Sequence, residues 1–173
     1  PGTPLKPSRV ILAGARSFDP GEDEYIAAHR VVTIGADEVS GQSLVDAVVA
    51  SGAASVYVHI DLDVLDPEDI QGLGYPEPFG VRSADLVNAL KALVARFPLA
   101  GAGITEFAPA SPRDAVEDMP TILRLVGALA NEGVAVKQFN LESVDIGKLA
   151  MALVDAGTLV IGVPTVLVGP HPV

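Results

Sequence analysis

The chain is predicted to fold as a three-layer αβα protein around a mostly parallel sheet of about six strands. Short β-branched runs alternate with longer stretches of helical period, which is the pattern of successive strand–helix units. Most of the runs are apolar on both faces, as strands covered by helices on two sides must be. The third observation is composition: 173 residues, 49% hydrophobic, with no cysteine and no tryptophan, fit one well-cored unit, so residues 1–173 are read as a single α/β domain.

The elements follow in order. "RVILAGA" (9–15) is the first strand, a short helix around Glu24 to Ala28 follows, and "RVVTIG" (30–35) is the second strand. Ser40 is placed to cap a helix with Leu44, Val45, Val48 and Val49 on one face, and Gly52 to end it. "SVYVHIDLD" (55–63) is the third strand. Ser83, with Asp85 in the first turn, opens a helix whose stripe is Leu86, Leu90, Leu93, Val94 and Phe97, closed by Pro98. "GAGITEF" (101–107) is the fourth strand, and a helix through Ile122, Leu123, Val126 and Leu129 runs to Gly133, with Pro112 and Pro120 both offering starts. "VAVKQFNL" (134–141), a helix carrying Ile146, Leu149, Ala150, Leu153 and Val154, and "TLVIGVPT" (158–165) complete the count.

Charge narrows the function classes. With 22 acidic against 11 basic residues the net charge is −11, which disfavours nucleic acid and anionic membranes and suits metal cations or cationic small molecules. No signal peptide precedes the first strand, and no apolar run approaches the roughly 18 residues of a membrane span, so a cytoplasmic setting is expected. The first residue is Pro1 and not Met, as in a processed product or an excised fragment.

Parallel sheets place their chemistry at the carboxyl ends of the strands. There the chain carries Arg16, Asp19 and Glu22 after the first strand, Asp61, Asp63 and Asp66 after the third, and Glu106 after the fourth. Aspartates at i and i+2 of a strand share a face, and two such charges stay ionised in a dry site only beside a cation. Carboxylates are hard ligands suited to magnesium or manganese, and His59, two residues earlier, faces the same way. Asp66, in an Asp-Pro step, reads better as a turn former, His29 as a surface helix residue and His171 as a solvated one.

"VHIDLDVLDPEDIQGLGYPEPFGV" (58–81), "ILAGARSFDPGEDEYI" (11–26) and "LAGAGITEFAPA" (99–110) together resemble the arginase and agmatinase ureohydrolases, over residues 7–130 and in family order. The resemblance implies a two-manganese hydrolase. Asp61 bridges both ions, Asp63 binds one, Glu106 holds the substrate guanidinium, and Asp19 and Glu22 help bind the substrate's amino end. It also implies a small cationic guanidino substrate, attack by a metal-bridging hydroxide with release of urea, and a homo-oligomer, since members commonly form trimers or hexamers. The family's other ligands, a lone His and an Asp-x-His-x-x-x-Asp motif, do not occur in these 173 residues. Little or no urea-forming activity is therefore expected of the chain by itself.

Residues 131–173 are similar instead to a strand–helix–strand piece of a flavodoxin-like domain of the flavodiiron type, with "GVPTVLVGPHP" (162–172) matching a loop that lies against flavin. A phosphate-binding first loop is absent, so one more βα unit closing the sheet is a better reading than flavin binding. Two partial resemblances suggest a natural or engineered chimera joined near residues 130–133, its tail strands covering the open edge beside residues 101–107.

Overall fold

A computed structural model describes residues 5–130 together with 146–148, 165–166 and 169–170. Strand β1 (Ile11–Ala13) leads to helix α1 (Pro20–His29), β2 (Val32–Ile34), α2 (Gly41–Ser51), β3 (Val56–Asp61), α3 (Ser83–Arg96), β4 (Leu99–Thr105) and α4 (Pro112–Leu129). The architecture is mixed α/β with parallel strands, as the alternation predicts. Among the described residues the strands form two parallel pairs, β1 with β2 and β3 with β4, where one sheet of about six was expected. A third pair is antiparallel, β5 (Thr165–Val166) with β6 (Gly169–Pro170). The tail strand expected over residues 134–141, and 158–165 apart from Thr165, lie outside the described residues.

Helix ends follow their side chains. The Asp19 carboxylate accepts from Glu22 N at 2.8 Å while the Glu22 carboxylate accepts from Asp19 N at 2.9 Å, so α1 starts at Pro20, four residues before the expected Glu24. The Ser40 hydroxyl accepts from Ser43 N at 3.1 Å, and Gly52 ends α2 at φ +67°, as read from the sequence. Ser40→Ala is expected to lower stability by about 1 kcal/mol, measured as a reduced urea midpoint with unchanged slope.

Other boundaries depend on groups outside the element itself or settle an open choice. Ser83 opens α3, as read from the sequence; Arg82 holds the cap position, and the Asp69 carboxylate, from the preceding loop, accepts from Ser83 N. Ser111 caps α4, its hydroxyl accepting from Asp114 N, which puts Pro112 in the first turn and leaves Pro120 inside the helix. The buried side of α4 carries Asp118, Thr121, Leu125, Ala128 and Leu129, so Leu123, expected on the apolar stripe, is exposed.

The end of β3 differs from expectation and bears on the site. β3 stops at Asp61, and Leu62–Val64 forms a 3₁₀ turn. Its three-residue period sets Leu62 and Leu65 on one side, and both are fully buried, whereas a continued strand would have split them between faces. These leucines join Ile60, Ile70, Leu90 and Leu125 in the core, and α3 packs against both α2 and α4. The carboxyl ends of β1 and β3 meet at Gly14, φ +78°, where a Cβ would stand 2.5 Å from a Val64 methyl, so only glycine fits there.

Candidate active site

The strand register builds the site. Asp61, last in β3, pairs with Thr105, last in β4, and Glu106 follows directly. Glu106 has φ +63°, a left-handed conformation uncommon for a non-glycine residue and one that concentrates at functional positions. The three carboxylates of Asp61, Asp63 and Glu106 thus lie at the carboxyl ends of two adjacent parallel strands, and the Glu106 charge acts on both aspartates.

Their protonation records the crowding. Burial first, then the Asp63 and Glu106 charges, push the Asp61 carboxyl up to about 6, against partial relief from the Asp63 backbone N–H and His59. The Asp63 carboxyl is also raised, chiefly by burial, with the Arg16 guanidinium opposing. Asp61 Oδ1 is buried and has no hydrogen-bond partner among the described residues. A polar atom in that state costs stability unless something outside these side chains meets it.

Neighbouring residues sort into clear roles. His59 Nε2 lies 3.3 Å from the Thr105 hydroxyl, on the same strand pair and close enough to lower the Asp61 proton affinity. Asp66 is a turn former, as expected: its carboxylate accepts from Glu68 N at 3.0 Å and Gly80 N at 3.1 Å, and these bonds hold it below the usual carboxylate range. Asp19 and Glu22 are engaged with each other at the start of α1 and line a shallow depression with Leu12, Phe18, Tyr25 and Ile26. His29 is exposed and stacks on Tyr25; His171 lies outside the described residues.

Arg16 has a role that its residue type alone does not disclose. Its guanidinium donates to the carbonyls of Gly14 at 3.2 Å, Val64 at 3.0 Å, Asp63 at 2.6 Å and Glu77 at 2.9 Å. One planar cation therefore ties together the loop after β1, the 3₁₀ turn and the Gly/Pro-rich loop. An arginine just after a strand end signals an anion site as readily as a carbonyl clamp, and only the fold distinguishes them.

Hard oxygen donors with an unmet buried lone pair fit a divalent cation such as manganese. Among the described residues, however, no three His, Cys, Asp or Glu side chains converge to hold an ion. By their chemistry Asp61 and Asp63 are compatible with such an ion.

A mixed α/β protein with acidic groups at the carboxyl ends of parallel strands is the class that fold and site define. The sequence profile of the arginase family matches residues 2–126, and the chain belongs to that family. It is 35% identical over 126 residues to the N(omega)-hydroxy-L-arginine amidinohydrolase of Streptomyces lavendulae, covering 72% of this chain and 44% of that protein. It is 34% identical over 85 residues to the arginase of Bacillus subtilis, covering 44% of this chain and 28% of that one. A crystal structure of Bacillus subtilis arginase superposes with a TM-score of 0.65 at 26% identity, covering 76% of this chain and 50% of the other. The chain thus spans less than half the length of the curated relatives it matches. The family match stops at residue 126, ahead of the segment read as flavodoxin-like. No helix of the described residues is long and apolar enough to cross a membrane.

Proposed function

We propose that this chain forms the carboxylate wall of a ureohydrolase site that acts on a small cationic guanidine. The observation that carries the reading is the buried, partnerless Asp61 Oδ1 beside Asp63 and Glu106 at the ends of β3 and β4. Asp61 and Asp63 hold manganese, and Glu106 receives the guanidinium. Asp19 and Glu22, at the rim formed by the start of α1, attract the substrate's amino end. Bound manganese supplies a water acidic enough to ionise near neutral pH and a Lewis acid for the leaving group. The chain's residues bind and orient the cationic substrate, whose charge the acidic wall matches. Relatives named for acting on arginine or N-hydroxyarginine support the guanidine class.

Alone the chain releases little or no urea, because two aspartates cannot complete the coordination of two ions. A non-catalytic recombined α/β protein is the alternative that this same incompleteness favours. The flavin-binding reading rests on the motif at residues 162–172 alone.

Manganese titration followed by electron paramagnetic resonance tests the proposal. Wild-type chain is expected to take up the ion weakly, with Asp61→Asn and Asp63→Asn each reducing uptake about tenfold or more. Adding the amino-terminal half of a relative is expected to give urea release that Asp61→Asn abolishes. Equal uptake by wild type and both variants would sink the metal assignment.

A further inference from the structure

The buried polar side chains of the described residues are Ser83, Asp118 and Thr121, and of these only Asp118, 4% exposed, is ionisable. It projects from α4 towards the loop that follows the 3₁₀ turn. Its Oδ1 accepts from Gln71 N at 3.0 Å, and its Oδ2 accepts from Gln71 N at 3.2 Å and Gly72 N at 2.6 Å. A carboxylate is expensive to bury, and two successive amides are the kind of partner that offsets the cost. A serine or an asparagine could not accept from both amides through both oxygens.

The segment so held leads to Glu106. Gly72 C=O accepts from Ala108 N at 2.8 Å, and Leu73 forms an antiparallel bridge with Phe107. At Gly74 the Cβ position is 4.0 Å from Glu106 Oε2, so this glycine lies beside that carboxylate. Gly72 itself is hemmed in, since a Cβ there would stand 2.9 Å from both Asp118 Oδ2 and Phe107 Cε2. The chain of contact runs from α4 through Asp118 to residues 71–74 and on to the Glu106 side chain.

We propose that Asp118 is a positioning residue: its carboxylate, through the Gln71 and Gly72 amides, sets the Gly72–Gly74 segment against Glu106 and thereby the fit of a guanidinium there. The proposal rests on the assignment of Glu106 as guanidinium receptor only for its last clause.

The test is nuclear magnetic resonance on the full 173-residue chain, with agmatine as the probe. In Asp118→Asn the Gln71 and Gly72 amides are expected to exchange about tenfold faster. The Glu106 carboxyl resonance should move, and agmatine should perturb that resonance only at about tenfold higher concentration. Leu125→Ala, in the same helix and fully buried, is the control: it lowers stability while leaving the Glu106 resonance in place. Should Asp118→Asn fail to fold, Gly72→Ala disturbs the same contact from the loop side and is expected to move the same signals. An unmoved Glu106 resonance in whichever variant folds overturns the proposal. If wild-type chain shows no response to agmatine while the variant still shifts Glu106, the guanidinium reading fails and the positioning role stands.

Discussion

Asp61→Asn is expected to stabilise the chain at pH 8 and to leave it nearly unchanged at pH 4. The Asp61 carboxyl is raised in the folded state from 3.8 to about 6 by burial and by the neighbouring Asp63 and Glu106 charges. A raised carboxyl favours folding fully below its unfolded value, and that contribution is lost as pH rises through the folded one. Wild-type stability therefore falls between about pH 4 and pH 6, and above that window the chain carries an ionised, partly buried aspartate with a partnerless oxygen. The upper bound on the loss is about 3 kcal/mol, and solvent screening of the half-buried group reduces it to about 1–2 kcal/mol. Asparagine keeps an acceptor for the Asp63 N–H and removes the charge. Urea denaturation at the two pH values, followed by circular dichroism, measures the difference; wild type as stable as Asp61→Asn at pH 8 would show that the carboxylate is not strained. Added manganese should narrow the gap by stabilising wild type alone, since binding to the folded state raises stability by mass action.

That inverted economy, in which a site residue weakens the fold, explains which parts of the molecule its sequence discloses. The strand cores 11–13, 32–34 and 56–61 and the α3 stripe of Leu86, Leu90, Leu93, Val94 and Phe97 were legible because burial on one or two faces imposes a period on the residues. So were Ser40 and Gly52, whose types match what a helix end requires. The turn at Leu62–Val64 was not legible, because Leu62 and Leu65 suit a strand locally and are drawn together only by the core. What holds the start of α3 was hidden for the same kind of reason. The Asp69 carboxylate reaches its first amide from 14 residues away, and no window on the helix shows that. Asp61, Asp63 and Glu106 were recognisable as candidates by motif, but their placement at the ends of two adjacent strands depends on the β3–β4 register. Asp118 gave no signal, since an aspartate inside a helix reads as a solvated face until a loop is found against it.

Arg16→Ala is expected to cost about 2–3 kcal/mol, the larger loss that a single substitution around the acidic cluster should produce without creating a core cavity. The guanidinium fastens the β1 loop, the 3₁₀ turn and the loop at Glu77 to one point, through four backbone carbonyls. Hydrogen bonds to a charged donor contribute more than neutral ones, but these share one side chain and are not additive. Val64 C=O also accepts from Val81 N at 2.9 Å and so keeps a partner when the arginine is removed. The Asp63 and Glu77 carbonyls lose theirs, and water must enter to meet them. Arg16→Lys should recover less than half of the loss, because an ammonium is a point donor on a flexible stem and cannot span carbonyls from separate loops. The same substitutions act on the acidic wall, since the Arg16 charge is what opposes the rise in Asp63 proton affinity. With the arginine gone, the Asp63 carboxyl is raised further from its ordinary value. Urea midpoints of the two Arg16 variants within about 0.5 kcal/mol of wild type would show that the three loops hold their positions without the clamp.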